Sequence, residues 1–319
     1  MPQYNDKQTL PETLKAILSL QEYFCEIIIC DDCSTDGSWE LLQDYASRYP
    51  IIKLLRNPQN LGLFKNLDRL LSEAKGDYVV MPAADDIWIP ENMKKLLEAI
   101  PDNPDCQLFC GQNLVNNRIT QKKYHYSFSF RLPNGRHEAH SISRFYRWLP
   151  WGPAGVIFRD KERIRNLLHK LESLKCHADG IAALIYAEQD PFYYSSEPIA
   201  VFTVEGDQFS SRYKDKEYQL GFLAHLFRFL KSDYRPLYRQ MVQARLFYAY
   251  PWTVPYLISH PGEWDRYTLK IVLTCNHVFT HFRYVFLPSL FSEGFKRKIR
   301  RFRNRIFGTP PDYPAELNQ

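Results

Sequence analysis

The chain contains no uninterrupted apolar run of about 18 residues, the length a helix needs to cross a bilayer. Its most apolar late segment, residues 269–291, is broken by Lys270, His277, His281 and Arg283. No spanning helix is therefore expected. No secretory signal opens the sequence either, because Met1-Pro2-Gln3-Tyr4-Asn5-Asp6 is polar from the start. Cysteine is present but unorganised: seven residues, an odd number in no regular framework, fit a reducing compartment better than a disulfide-stapled domain. Cys30-Asp31-Asp32-Cys33 has C-x-x-C spacing, yet only Cys106 and Cys110, four apart, could pair with it. A buried strand cysteine is preferred to a zinc half-site. His277 and His281 sit in no Glu-containing zinc-protease motif and read as an aromatic-rich helix face. A broad cationic face is missing as well. The net charge is +5, but seven basic residues lie between Lys296 and Arg305, and the rest is slightly negative. Nucleic acid is thus not an expected partner. These absences predict a soluble, cytoplasmic protein.

What is there is ordinary in bulk: 319 residues, 45% hydrophobic and 24% charged, enough for one large α/β domain with an appendage. The first hundred residues alternate in the βαβ manner. Residues 9–20, 38–49 and 63–74 have helical periodicity, and Pro11 stands near the start of the first. Residues 25–30, 51–55 and 78–81 are short and apolar, as strands of a parallel sheet buried on both faces are. Such a sheet binds ligands at the carboxyl ends of its strands. From residue 213 onwards the alternation stops and helical patterns rich in Phe, Tyr, Leu and Arg take over. The final segment sets Phe295, Ile299, Phe302 and Ile306 among Lys and Arg. That is an apolar stripe with a cationic face, suited either to an anionic membrane surface or to a solvated docked helix.

Two acidic pairs fall at strand ends. Asp31 and Asp32 follow Cys-Glu-Ile-Ile-Ile-Cys, and Asp85 and Asp86 follow Tyr78-Val79-Val80-Met81 and two alanines. Adjacent carboxylates repel each other and are costly to dehydrate, so a cation, a ligand or turn amides must compensate them. A single pair reads most simply as a turn or cap. Two pairs on one rim describe a site for a polar ligand and a divalent cation with hard oxygen ligands. Asp86 is expected to cap the helix that begins near Pro90.

The segments "QYND", "IIICDDCSTDGSWELL", "NPQNLGLFKNLDRLLSEAKGDYVV" and "AADDIWIPE" resemble, in order and spacing, the family-two glycosyltransferases of GT-A fold. The resemblance is dense over residues 2–100 and looser over 150–212. It implies a nucleoside diphosphate sugar donor, a UDP-sugar above all, bound on a mostly parallel sheet wrapped by helices. It implies donor contacts at Tyr4, Asn5, Asp32, Asn60, Lys65, Asn66 and Asp85, with Asp85 holding a divalent cation, Mn²⁺ or Mg²⁺. Residues 148–164 resemble the acceptor loop, with Trp151 and Gly155 on the acceptor side; Trp148 and Trp151 either stack on sugar rings or plug a core between loops. Asp179, ahead of an apolar helix, is implied as the general base of an inverting transfer. Without the resemblance it would read as a helix cap, and His177 as an accessory polar group.

The sequence departs from the family in four places. Ala83 replaces the first acid of the Asp-x-Asp motif, and Lys65 replaces the usual Arg, keeping charge but losing bidentate geometry. The first strand is apparently missing, so the natural chain is expected to start upstream of Met1. Thr203 and Glu205 replace an Arg-x-His segment, Glu205 reading as a solvated loop acid. The expected organisation is a GT-A domain over 1–212, with a nucleotide half (1–100) and an acceptor half (101–212). A helical region over 213–319 completes the chain. The expected function is transfer of a sugar to a glycan or lipid-linked acceptor, at the inner face of the cytoplasmic membrane, with residues 292–307 touching anionic lipid. The alternative is a catalytically silent relative that binds nucleotide or partner proteins. A nucleotidyltransferase would need a Gly/Arg/Lys-rich phosphate loop after the first strand, and none is visible.

Overall fold

The computed structural model describes residues 1–117, 121–125, 132–140, 154–204, 216–243, 247 and 252–274. Two sheets organise them. The first is parallel, in the order β1 (Pro2–Gln3), β2 (Ile27–Asp31), β3 (Ile52–Arg56). All of β2 is buried, as its run of three isoleucines requires. β1 is two residues long and pairs through Pro2 opposite Cys30 and Gln3 opposite Asp31. The ladder continues on both sides, since Met1 N donates to Ile28 O at 2.6 Å and Asp32 N donates to Gln3 O at 2.9 Å. The slot beside β2 is therefore filled by residues 1–3.

The second sheet is mixed, with the path β4 (Tyr78–Val80), β9 (Ile157–Arg159), β6 (Leu108–Asn117), β10 (Phe192–Val204), β5 (Ile87–Trp88). β7 (Lys122–His125) and β8 (Gly135–His137) pair with β6 and β10. β6 and β10 run parallel, and β4 pairs antiparallel with β9. The strand at 78–81 thus does not extend the parallel ladder of β2 and β3, as its place in the βαβ alternation suggests. β10 is irregular between Ser195 and Ala200, with Pro198 at the break, where its missing amide is tolerated.

Helices α1 (Leu10–Leu18), α2 (Ser38–Arg48), α3 (Leu63–Glu73) and α4 (Pro90–Glu98) alternate with the strands of the first hundred residues. Pro11 and Pro90 lie in the first turns of α1 and α4, where a missing N–H is harmless. α5 (Lys161–Leu171) and α6 (Ala178–Gln189) come next. α6 is apolar nearly all round and has nine buried residues, as a helix enclosed by protein should. Around it gathers one apolar cluster that includes Val156 and Phe158 and reaches α7 (Lys216–Ser232), α8 (Arg235–Gln243), α9 (Thr253–Ser259) and α10 (Arg266–Thr274). A second cluster lies beneath β2, α1 and α4 and includes Trp88, Phe109 and Ile199. The expected boundary at 212 and 213 lies outside the described residues.

Candidate active site

The first acidic pair is fully engaged. Asp31 is buried, takes a hydrogen bond from Ser34 N at 3.1 Å, and pairs with the Arg56 guanidinium at 3.2 Å. Asp32, also buried, accepts from Asn57 Nδ2 at 2.8 Å, Leu61 N at 2.9 Å and Gly62 N at 2.8 Å. Both carboxylates stand at the end of β2 and bind residues at or just beyond the end of β3, so the pair clasps the 57–62 loop to the sheet. Gly62 adopts φ +83°, a left-handed conformation that a side chain would strain. Asn5, itself at φ +57°, ties the other side of the rim: its N donates to Ser34 Oγ at 2.9 Å and its Oδ1 accepts from Thr35 N at 2.9 Å.

The remaining expected donor residues lie around this clasp. Tyr4 is exposed, as are Asn60 and Lys65, and Asn60 Oδ1 accepts from Gly62 N at 3.1 Å. Asn66 is buried, and its Nδ2 donates to Cys30 O at 3.0 Å, which pins α3 to β2. Its Oδ1 finds no partner. Cys30 and Cys33 are free thiols whose sulfurs lie near Asn57 Oδ1 (3.7 Å) and Pro58 O (3.8 Å). Cys30 lies in β2 and Cys33 in the turn beyond it, both against the 57–62 loop.

The second pair is built differently. Asp85 is partly exposed, whereas Asp86 is only 4% exposed. Asp86 does not cap α4: the residue before that helix is Ile89, in extended conformation, and no side chain caps it. Instead Asp86 accepts from the backbone N–H of Thr203 on β10, and its Oδ1 has no hydrogen-bond partner. Burial pushes its carboxyl well above the ordinary range, and the charges of Asp85 and Asp179 push it further. So Asp179, distant in sequence, comes into the electrostatic neighbourhood of the second pair. β5 aligns this loop on β10, with Ile87 opposite Val201 and Trp88 opposite Ala200. Thr13 Oγ1 on α1 holds the preceding Ala84 carbonyl at 2.9 Å.

Asp179 stands in the first turn of α6 and accepts from Gly180 N at 2.7 Å. Burial raises its carboxyl to about 6, an apt position for a base at neutral pH. His177 immediately before α6 lies 4.3 Å, ring to ring, from Phe222, and burial lowers its imidazole to about 4. It is a neutral ring in an aromatic wall at neutral pH. Gly155 is buried at φ +80°, and a Cβ there would meet Ile199 Cδ1 at 3.1 Å. Its neighbour Ala154 is gripped by the buried Asn113, which donates to Ala154 O at 3.0 Å and accepts from Ala154 N at 3.1 Å. Trp148, Trp151, Glu205, His277, His281 and the basic segment 292–307 lie outside the described residues. Arg56, Asn57, Asn113 and Thr203 are not evident from the sequence alone. Arg-Asn at the end of β3, opposite the first acidic pair, is the signal that could have found the first two.

Residues 1–152 match the family described as Glycosyl transferase family 2. This stretch, just under half of the chain, is similar to that family. EpsE of Bacillus subtilis, a putative glycosyltransferase, is 40% identical over 93 residues, 29% of this chain and 34% of that protein. A dolichol-phosphate mannosyltransferase of Pyrococcus furiosus is 38% identical over 106 residues, 33% of this chain and 30% of that protein. The chain thus spans about a third of the length of these relatives. A crystal structure of S. aureus TarS 1–349 superimposes with TM-score 0.52 at 16% identity, covering 88% of this chain and 84% of that one. The fold of the chain is GT-A-like. The family match ends ahead of Asp179, so the family assignment itself does not reach the carboxylate that meets the second pair.

Proposed function

We propose that the chain transfers a sugar, with inversion, from a nucleoside diphosphate sugar to a hydroxyl of a glycan or lipid-linked acceptor. The observation that carries this is that the buried Asp86 lies within electrostatic reach of both its neighbour Asp85 and the sequence-distant Asp179. Asp179 serves as general base: it takes the proton of the acceptor hydroxyl as that oxygen bonds to the anomeric carbon. The bond from the anomeric carbon to the phosphate oxygen breaks, and its electron pair leaves with the nucleoside diphosphate. Attack from the face opposite the leaving group inverts the centre.

The residues fit a divalent cation that arrives with the donor. Asp85 is a hard oxygen donor within reach of solvent, and among the described residues no three His, Cys, Asp or Glu side chains group as a closed cage. Asp85 would then be the residue that holds Mg²⁺ or Mn²⁺. Bound there, the cation would supply Lewis-acid stabilisation to the charge that develops on the leaving diphosphate. The clasp formed by Asp32, Asn57 and Gly62, with exposed Tyr4, Asn60 and Lys65 around it, is proposed as the nucleotide side. Gly155 and Trp151 belong to the acceptor side. Residues 1–212 are proposed as the catalytic unit, split near residue 100, and 213–319 as its helical companion. Residues 292–307 are proposed to hold the protein against the inner face of the cytoplasmic membrane.

The test is a panel of UDP-, GDP- and dTDP-sugars with Mn²⁺ and mixed acceptors, reading release of nucleoside diphosphate. The proposal predicts turnover of one donor, lost in Asp179→Asn. Folded protein that turns over no donor and binds no nucleotide would leave the silent relative as the better reading, in keeping with Ala83.

A further inference from the structure

Five large hydrophobic side chains are exposed among the described residues, and three fall within a dozen positions: Ile258 (63%), Trp264 (44%) and Leu269 (44%). Scattered single cases need no explanation, but a local group does. The Trp264 indole N–H donates to Leu257 O at 2.7 Å, which sets the ring beside the end of α9 where Ile258 stands. The ring is thus held outward with its one polar atom already satisfied. Leu269 lies on α10, which packs against α9.

Charge is sorted across the same stretch. Its two acids turn inward: Glu263 pairs with Lys231 at 2.8 Å, and Asp265 accepts from Tyr267 N and Thr268 N at 2.8 Å while lying 4.0 Å from the same lysine. The cations Arg266 and Lys270 are exposed, flanking Leu269 on α10. Apolar side chains with a tryptophan, rimmed by cations and with the nearby acids engaged by Lys231 and backbone amides, match the chemistry of a lipid headgroup layer. No described helix is long and apolar enough to cross a membrane, so the contact would be interfacial.

We propose that Ile258, Trp264 and Leu269, with Arg266 and Lys270, form a docking surface for an anionic phospholipid bilayer. The sequence beyond supports this occupant over a neutral one, since seven basic residues stand between Lys296 and Arg305. The surface stands on described helices and is separate from the 292–307 segment. Vesicle binding is read without donor or acceptor, so its outcome is independent of the transferase reading.

The experiment is sedimentation of the full chain with phosphatidylglycerol-containing and pure phosphatidylcholine vesicles, paired with tryptophan quenching by brominated lipid. The anionic vesicles should bind more tightly. Ile258→Ser/Trp264→Ser/Leu269→Ser should weaken that binding by roughly tenfold or more, and Arg266→Gln/Lys270→Gln by roughly tenfold with a reduced salt dependence. Trp264→Phe, a substitution mild enough to fold, should remove most of the quenching. Quenching that survives Trp264→Phe, with binding unchanged in the triple variant, would overturn the proposal. So would absence of vesicle binding, or a wild-type dimer that the triple variant converts to monomer, which would make the occupant a second copy.

Discussion

The two acidic pairs look alike in the sequence and differ in the fold. Asp31 and Asp32 together meet a guanidinium, a side-chain amide and three backbone N–H groups. Asp86 meets one backbone N–H, keeps an oxygen without a partner, and faces two further carboxylates. A saturated pair of buried carboxylates is a structural device, because its loss would orphan donors such as Asn57 Nδ2 and Leu61 N. An under-satisfied carboxyl among like charges is stored electrostatic free energy, and such arrangements cluster at functional sites. One pair builds the loop, and the other is the proposed place for chemistry.

The largest effect expected from this contrast is on rate, at Asp179. Asp179→Asn should lower turnover by about 10²–10⁴, the usual contribution of a positioned base. Donor binding should stay within about threefold, because removal of a base leaves the ground-state contacts in place. Steady-state kinetics beside equilibrium binding separates the two. Retained turnover would move the base elsewhere. In wild-type enzyme the same carboxyl should give a rising limb in kcat/KM centred near pH 6, since the proposed base would work ionised and burial raises it to about 6. The Asn variant should lack that limb.

Next in size is Asp32→Ala. It orphans the Asn57 side-chain amide and the Leu61 backbone amide, leaves Gly62 N only its Asn60 acceptor, and should destabilise the protein by about 2–3 kcal/mol in chemical denaturation. Asp85→Ala, at a partly exposed position, should cost less stability than Asp32→Ala. Equal losses for the two would erase the distinction between clasp and chemistry.

The smallest effect is at Asp86. Asp86→Asn replaces a buried ionisable carboxyl beside two others with a neutral group of the same shape, so stability at neutral pH should hold or rise by about 1 kcal/mol. The sign with pH comes from its raised carboxyl. The folded state binds that proton more tightly than the unfolded chain does, so wild-type stability falls as pH rises from the unfolded value of 3.8 through the folded one. The Asn variant should flatten that decline. A variant that is less stable at every pH would mean that the Asp86 charge is compensated.

Much of the fold is legible in the sequence for a physical reason. The isoleucine run of β2, the proline-started helices and the acid-bearing turns are local signals, and they mark both pairs and Asp179. What stays hidden depends on contacts between distant segments. Arg56 and Asn57 reach the first pair only because β3 lies beside β2, and Thr203 reaches Asp86 only because β5 pairs with β10. The cap expected of Asp86 was the cheapest local use of an acid just ahead of a helix, and a β10 amide outcompeted it. Tyr78–Val80 is too short to carry a direction in its sequence, so its antiparallel pairing with β9 could not be read there.

The central claim is tested most directly by calorimetric titration of UDP, GDP and dTDP, with and without Mn²⁺, into wild type, Asp85→Ala and Asp179→Asn. Metal-dependent binding of one nucleotide is expected, lost in Asp85→Ala and kept in Asp179→Asn. Binding that ignores both the cation and Asp85, in folded protein, would contradict the claim.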